Sequence, residues 1–168
     1  MIHTEYLVSH LVGKDATNLF LANKACLPYA QTLEAMTYLN EYLALMHGIK
    51  VSCPIMRSGI IQMLDNPSLG IYVLAWRASD LRLIGQIEVK EIFEAMYNSR
   101  YCYLDNFAVL PEFQKQGIGT ALLKYVMHDL KPKNATKYFR LYLSSENCQL
   151  RNFYIDRGFS DIGQMLQH

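Results

Sequence analysis

The stretch VLPEFQKQGIGTALL, residues 109–123, determines how the C-terminal half of the chain folds. An apolar strand ends at Val109, and Gly117 and Gly119 then open a helix. Glycines let the backbone approach a ligand closely and leave successive N–H groups exposed, and the positive end of the helix dipole lies at the same place. This combination predicts an anion site suited to phosphate. The alternative is a tight glycine-rich turn that only packs the helix closely against the sheet.

Two predicted strands flank this helix and make it the crossover of a βαβ unit. Strand-like patterns cover residues 101–109 before the helix and residues 137–143 after it. A crossover of this kind places its two strands parallel to each other. In the first of them, the apolar residues change parity at Asp105-Asn106. Such a slip predicts a β-bulge there, unless both faces of the strand are buried and parity carries no signal.

The remaining elements are predicted from apolar periodicity, caps and turn residues. Ser52 is placed to cap one helix and Asn147 to cap another. The predicted strands are 2–9, 71–77, 83–93, 101–109, 137–143 and 159–166, and the predicted helices are 16–26, 31–47, 52–64, 117–130 and 147–156. Together they predict a mixed α/β fold: a mostly antiparallel sheet with one parallel β-α-β crossover, flanked by four to five helices.

Composition excludes several classes of protein. A chain of 168 residues suits one domain, which buries enough surface to fold without disulfides or a metal. With 16 basic and 15 acidic residues the net charge is +1, so we expect no nucleic-acid partner. The longest apolar run is six residues, far below the roughly 20 that cross a bilayer, so we expect no membrane partner. The four scattered cysteines and the missing secretory signal predict a cytoplasmic protein, and the five histidines lack metal-ligand spacing.

A second pattern, LSSENCQLRNFYIDRGF at 143–159, places Asn147 at a strand-to-helix junction and Tyr154 seven residues later. Because seven residues make about two helical turns, the two side chains lie on nearly the same helix face. The helix ends at Gly158, and Phe159 follows it. Taken alone, this pattern is typical of an ordinary capped helix whose apolar residues pack against the core.

Two other phosphate-binding motifs fit the glycine loop poorly. A dinucleotide fingerprint needs a third glycine, and Leu122 stands at that position. That fingerprint also follows the first strand of a Rossmann unit, whereas this loop lies late in the chain. A P-loop needs the pattern GxxxxGK followed by Ser or Thr, which the sequence lacks.

Taken together, the two patterns resemble the GNAT superfamily of acetyl-CoA-dependent N-acyltransferases. The family's coenzyme motif is a strand ending in Val-x-Pro, then Gln/Arg-x-x-Gly-x-Gly/Ala at a helix start, and residues 109–119 match it. Its later motif is Asn, Tyr seven positions on, and then Gly-Phe, which residues 147–159 match. The resemblance covers residues 65–160 and departs from the family at Leu150, where Ala is common. It implies a single N-acetyltransferase domain over 1–168.

The resemblance also implies acetyl-CoA as co-substrate and assigns residues to it. The backbone amides of 114–120 would hold the pyrophosphate, and the backbone of 107–109 would pair with the pantetheine arm. Asn147 would contact the same arm, and Tyr154 would lie near the sulfur. The bulge would mark where family members separate two strands to admit the thioester. The implied coenzyme-binding residues are Phe107, Ala108, Val109, Gln114, Lys115, Gln116, Gly117, Ile118, Gly119, Thr120, Asn147 and Tyr154.

Acyl transfer to an amine needs a neutral amine, a stabilised oxyanion and a proton for the leaving thiolate. Tyr154 is the candidate proton donor, and a backbone N–H at Val109 or its neighbour is the candidate oxyanion donor. Asp105 and Glu88 are candidate bases, acting directly or through water. For each carboxylate the alternative is a solvated or ion-paired surface group. Direct attack requires no covalent intermediate, and no metal is expected.

Three functions fit these residues: an N-acetyltransferase for a small amine, one for a protein N-terminus or lysine, and a non-catalytic coenzyme-A-binding domain. The intact loop together with Tyr154 disfavours the third, and the absence of an appended domain favours the first. Four carboxylates lie on two neighbouring predicted strands or in the loop between them: Glu88, Glu91, Glu94 and Asp105. This cluster favours a cationic acceptor, unless Lys90 and Arg100 neutralise it. We expect a monomer or a homodimer.

Overall fold

The computed structural model describes residues 5–11, 28–130, 138–143 and 147–163. Within these ranges, five strands form one sheet in the order β1-β2-β3-β4-β5. The strands are β1 (Tyr6–Leu11), β2 (Ile71–Arg77), β3 (Leu83–Glu94), β4 (Ser99–Val109) and β5 (Phe139–Leu141). The helices are α1 (Tyr29–Met46), α2 (Cys53–Asp65), α3 (Ile118–Lys124), which continues as a π-helix over Tyr125–Asp129, and α4 (Cys148–Ile155).

The sheet is mixed, as predicted. Strands β1 to β4 are antiparallel to their neighbours, and β5 is parallel to β4 through the crossover that contains α3. The pairing between β4 and β5 ends where Leu104 lies opposite Leu141, whereas β4 itself runs on to Val109. From Asp105 onward, β4 is therefore paired with β3 only among the described strands.

Helices cover both faces of the sheet. On one face, Asn40 of α1 reaches Gln86 of β3, and on the other face Leu122 of α3 lies over Gly85. Because both faces are covered, the side chains of Tyr72 to Trp76 in β2 are buried in succession. Each buried apolar side chain of this kind contributes about 1.5–3 kcal/mol to folding. In the described part of the chain, no helix has the length and apolar character needed to span a membrane.

The β-bulge predicted at Asp105-Asn106 is confirmed. Ile87 of β3 lies opposite two residues, Asn106 and Phe107, instead of one. Asn106 has a φ of +43°, a left-handed conformation that asparagine tolerates better than most residues. The extra residue lets Leu104 and Phe107 turn toward the same face although one number is even and the other odd. This bulge therefore explains why the apolar residues change parity in the sequence.

One local prediction is confirmed only in part, and another is wrong. Ser52 is the N-cap residue of α2, as predicted, but its side chain makes no capping hydrogen bond. Pro54, at the second helical position, has no N–H to offer it. Residues 159–163 form no strand; all but Phe159 are exposed, so burial against the sheet does not hold them extended. The predicted helix at 16–26 and residues 2–4 and 164–166 of the predicted outer strands lie outside the described residues.

Gly70, at the start of β2, tests the close packing between α2 and the sheet. Its φ is +150°, and an added Cβ would lie 2.7 Å from the carbonyl oxygen of Val89. We expect Gly70→Ala to lower the free energy of unfolding by about 1–3 kcal/mol, because backbone strain and overpacking act together. Chemical denaturation measures the change.

Gly59 provides the matched control inside α2. A Cβ there meets nothing within 4 Å, so Gly59→Ala should raise the free energy of unfolding by roughly 0.5–1 kcal/mol through helix propensity. If Gly70→Ala stabilises the protein as Gly59→Ala does, the close approach at Gly70 does not constrain the fold.

Candidate active site

The loop between β4 and α3 has the backbone geometry of an anion site. Lys115 and Gly117 have φ values of +58° and +86°, and Gly117 is the N-cap residue of α3. Left-handed residues in such a loop turn nearby N–H groups toward one concave side. Among the described residues, a Cβ on Gly117 would meet only the Tyr6 hydroxyl oxygen, at 3.8 Å. The described structure therefore leaves space at this residue, which is compatible with the predicted phosphate-type ligand.

Two glutamine side chains brace this loop. Gln114 Nε2 donates to the carbonyl oxygen of Val109 over 2.9 Å, and Gln116 Nε2 donates to that of Glu112 over 2.9 Å. Both Nε2 groups thus help to fix the backbone of the loop. Ligand binding by the N–H groups of this loop stays a prediction.

Arg157, in the turn after α4, secures the start of α3. The Arg157 guanidinium donates 2.7 Å to Thr120 Oγ1 and 2.6 Å to the carbonyl oxygen of Phe153, and it stacks 3.8 Å over the Phe153 ring. Gly119 faces the same ring, because an added Cβ would lie 3.6 Å from it and 3.4 Å from Phe107. Sequence reasoning missed Arg157, since no local pattern links it to a loop 37 positions earlier.

Tyr154 lies in an aromatic cluster against the bulged end of β4. Its ring centroid is 6.2 Å from that of Phe107, 5.2 Å from Phe153 and 5.4 Å from Phe159. The residue is 5% exposed, and this burial raises the pKa of the Tyr154 phenol. The hydroxyl is therefore protonated at neutral pH, which is the state that a proton donor needs.

Asn147 caps α4, as the sequence predicts. Its Oδ1 accepts a hydrogen bond of 3.1 Å from the Leu150 N–H. The cap leaves the Nδ2 group of Asn147 free of this hydrogen bond. The contact with a pantetheine arm stays a prediction.

The two candidate bases meet at one lysine. Lys90 Nζ lies 2.7 Å from Glu88 Oε1 and 2.9 Å from Asp105 Oδ2. Burial lowers the pKa of the Lys90 ammonium, but hydrogen bonds to Glu88 and Asp105 outweigh it and hold that pKa above its usual value. The lysine is therefore charged at neutral pH and neutralises part of the acidic pair.

The environments of the two carboxylates differ. Glu88 is 3% exposed; its second oxygen accepts 2.6 Å from Asn106 Nδ2, and Tyr72 also hydrogen-bonds to the carboxylate. Burial, followed by the Glu88 charge, raises the pKa of Tyr72, which keeps that donor protonated. The Asp105 side chain is 41% exposed. Of the two candidate bases, Asp105 is the one that an incoming amine can reach.

The carboxylates of the acidic cluster are all paired with basic side chains. Besides the Lys90 pairs, Arg100 lies 3.9 Å from Glu91, and Arg140 lies 3.1 Å from Glu94. All four carboxylates thus have basic partners, and Arg140 is one that sequence reasoning did not identify. The structure therefore favours the alternative in which lysine and arginine neutralise the cluster. Among the described residues, no three His, Cys, Asp or Glu side chains are grouped to hold a metal ion.

The geometry defines the class of protein: a mixed α/β domain in which a glycine-containing loop joins β4 to α3, beyond the point where the described parallel strands stop pairing. The model of the acetyltransferase (GNAT) family matches residues 35–159. Since this match covers most of the chain, the chain belongs to the GNAT family, and the resemblance seen in the sequence is confirmed. A comparison with curated proteins finds no significant match.

Solved structures with the same fold include acetyltransferases of several kinds. A possible acetyltransferase from Clostridium difficile 630 is 15% identical over 96% of both chains, with a TM-score of 0.73. Aminoglycoside N-acetyltransferase AAC(6')-Iy in complex with CoA is 15% identical over 98% of this chain and 94% of its own, with a TM-score of 0.74. Aminoglycoside acetyltransferase meta-AAC0020 from an uncultured soil metagenomic sample, in complex with sisomicin, is 12% identical over 97% and 93%, with a TM-score of 0.71. At these identities the similarity shows the shared fold.

Gly119 tests whether the loop binds an anionic ligand. We expect Gly119→Asp to weaken coenzyme A binding at least tenfold, or about 1.4 kcal/mol, because it adds a negative charge at the predicted phosphate site. Calorimetric titration measures the affinity.

Gly119→Ala is the matched control. Its methyl group would make ordinary contacts, 3.4 Å from Phe107 and 3.6 Å from Phe153, so the fold and the affinity should be retained. Equal affinities for the folded Asp and Ala variants would exclude this loop from the binding site.

Proposed function

We propose that this protein is an N-acetyltransferase that moves an acetyl group from acetyl-CoA to the primary amine of a small acceptor by direct attack. One observation carries the proposal: the anion-binding loop follows directly after the segment of β4 that β5 leaves unpaired. A coenzyme whose pyrophosphate lies on that loop can extend its pantetheine arm along the free edge of β4. Family membership supports acetyl-CoA as the donor.

The hydrogen bonding of β4 supports an oxyanion site at Val109. The Leu110 N–H donates 2.9 Å to the carbonyl oxygen of Ile84 in β3. Neighbouring N–H groups of a strand point to opposite edges. The Val109 N–H therefore points to the edge of β4 that is no longer paired with β5. A backbone donor fixed at this position can stabilise the negative oxygen that develops as the amine attacks the thioester.

The remaining groups balance the protons of the reaction. The amine nitrogen forms a bond to the acetyl carbon, the C–S bond breaks, and Tyr154 gives its hydroxyl proton to the leaving sulfur. Asp105, directly or through water, takes the proton that the amine loses. Both carboxylates are hydrogen-bonded at each oxygen, but Glu88 is 3% exposed whereas the Asp105 side chain is 41% exposed. We therefore place Glu88 outside the direct proton transfer.

The structurally similar proteins support a small-molecule amine as acceptor, and the ion pairs of the site argue against selection for high positive charge. Two of the similar structures are aminoglycoside acetyltransferases, one of them bound to sisomicin, which supports a small-molecule amine. The ion pairs of Lys90 argue against a free acidic cluster that would select for polycations. We propose a primary amine as the acceptor without a requirement for several positive charges.

An assay of thiol release from acetyl-CoA tests the function. Polyamines, aminoglycosides, amino acids and peptides are supplied separately, and amine-dependent release with a small amine is the expected result. Release only with peptides would favour a protein N-acetyltransferase. Coenzyme binding without release for any primary amine would identify a non-catalytic coenzyme-binding domain.

Tyr154→Phe tests the proton donor. The change keeps the ring within its aromatic cluster and removes only the hydroxyl, so kcat should fall by about 10²–10⁴. Coenzyme A affinity should be nearly unchanged, because the loss concerns the transition state. If kcat stays within twofold of wild type, Tyr154 is not the proton donor and contributes only to packing.

Asp105→Asn tests the base, and Glu91→Gln is its control. The substituted amide side chain would keep the oxygen that accepts the backbone N–H of Asn106 but would not accept a proton, so kcat should fall by about 10² or more. Glu91 is an ion-paired carboxylate on the adjacent strand, and its substitution should change kcat less than twofold. Steady-state kinetics that show equal effects would remove Asp105 from the proton transfer.

A further inference from the structure

We propose that Gln86 and Glu88 are positioning residues that hold Asn106 in the left-handed conformation of the bulge, and thereby direct the Val109 N–H into the opening beside β4. The inference rests on the proposed acetyl transfer for its catalytic consequence. It assigns the buried Glu88 a task other than that of a base.

Asn106 is held at three of its polar groups. Its Nδ2 donates 2.6 Å to Glu88 Oε2, and its backbone N–H donates 3.0 Å to Asp105 Oδ1. Its carbonyl oxygen accepts a longer hydrogen bond of 3.5 Å from Gln86 Nε2. A left-handed residue that has side-chain partners on both its N–H and its C=O is constrained far more than a turn residue in solvent.

The anchors are buried and are themselves held. Gln86 is fully buried, and its Oε1 accepts 3.4 Å from Asn40 Nδ2, which also donates 2.8 Å to the Met36 carbonyl oxygen of α1. Glu88 is fixed from its other side by Lys90. Hydrogen bonds in such a buried network are stronger than in water, and an unpaired member is costly. The contacts to Asn106 therefore connect the bulge to both β3 and helix α1.

The direction of the Val109 N–H depends on the extra residue in the bulge. With the bulge, Val109 lies opposite Gly85, and it is the Leu110 N–H that bonds to Ile84. In a regular ladder, Val109 would move one position and lie opposite Ile84. Its N–H would then point to β3, because a one-residue slip exchanges the two edges of a strand. The hydrogen bonds that hold Asn106 thus decide which amides face the opening.

Swapping the hydrogen-bond donor and acceptor between positions 106 and 88 by substitution tests the Glu88–Asn106 hydrogen bond. Asn106→Asp keeps a residue that tolerates the left-handed conformation but sets two carboxylates against each other, so kcat should fall at least about tenfold, as for a misplaced oxyanion donor. Adding Glu88→Gln restores one amide and one carboxylate, and kcat should return to within about threefold of wild type. Coenzyme A affinity should fall less than kcat in Asn106→Asp, because the 114–120 loop is unaltered and only the 107–109 contacts are disturbed.

Asn98→Asp is the matched control. Asn98 is also left-handed, with a φ of +45°, but it is exposed in the turn before β4, and its substitution should leave kcat unchanged. If Asn106→Asp fails to fold, Asn106→Gly removes the amide while keeping the conformation, and a drop in kcat is again expected.

Amide hydrogen exchange of residues 104–110 in the coenzyme-free protein tests the inference without any turnover. Amide hydrogen exchange should be faster in the Asn106→Asp variant than in wild type. In the double variant Asn106→Asp with Glu88→Gln, it should return to the wild-type rate. The inference would be overturned if Asn106→Asp left the hydrogen-exchange rates unchanged, or if the double variant did not restore them. If hydrogen exchange changes as expected but the protein acetylates no amine, the proposed function is refuted. The inference that Gln86 and Glu88 hold the bulge would still stand.

Discussion

The backbone hydrogen bonding of β4 is the constraint on which the rest of the site depends. A strand inside a sheet must pair its N–H and C=O groups on both edges or expose them to a partner of another kind. β4 is bonded to β3 along its length but to β5 only as far as Leu104. The bulge at Asn106 sets which amides face the edge that no described strand covers, and the strand then leads directly into the loop that opens α3. The geometry of this edge is a property of the main chain.

A buried polar network supports that main-chain arrangement. Gln86 and Glu88 lie among apolar neighbours, where an unsatisfied amide or carboxylate costs several kcal/mol. They are tolerated because α1, Lys90 and the bulge residue supply hydrogen-bond partners. The same contacts couple the stability of the sheet to the shape of the opening, so polar residues at these positions serve the site as well as the core.

The charges around the opening are arranged in pairs. Lys90 connects Glu88 to Asp105, and the arginines at 100 and 140 lie beside Glu91 and Glu94. A count of acidic residues along two strands suggests a cation-binding surface, whereas their partners leave little uncompensated charge. Asp105 differs from the others because it is both accessible and next to the bulge. The charge of the acidic cluster is therefore largely compensated within the protein.

The sequence by itself determined the features that are encoded locally. The glycines at 117 and 119, the parity break at Asp105-Asn106 and the cap at Asn147 each follow from the backbone preferences of a few neighbouring residues. They were sufficient to predict the mixed sheet, the crossover, the bulge and the loop. Only the tertiary structure decided that Glu88 is buried against Asn106, that Arg157 reaches Thr120, and that each carboxylate has a basic partner. These facts join residues up to 46 positions apart, and no periodicity in a sequence records how distant side chains are paired through space.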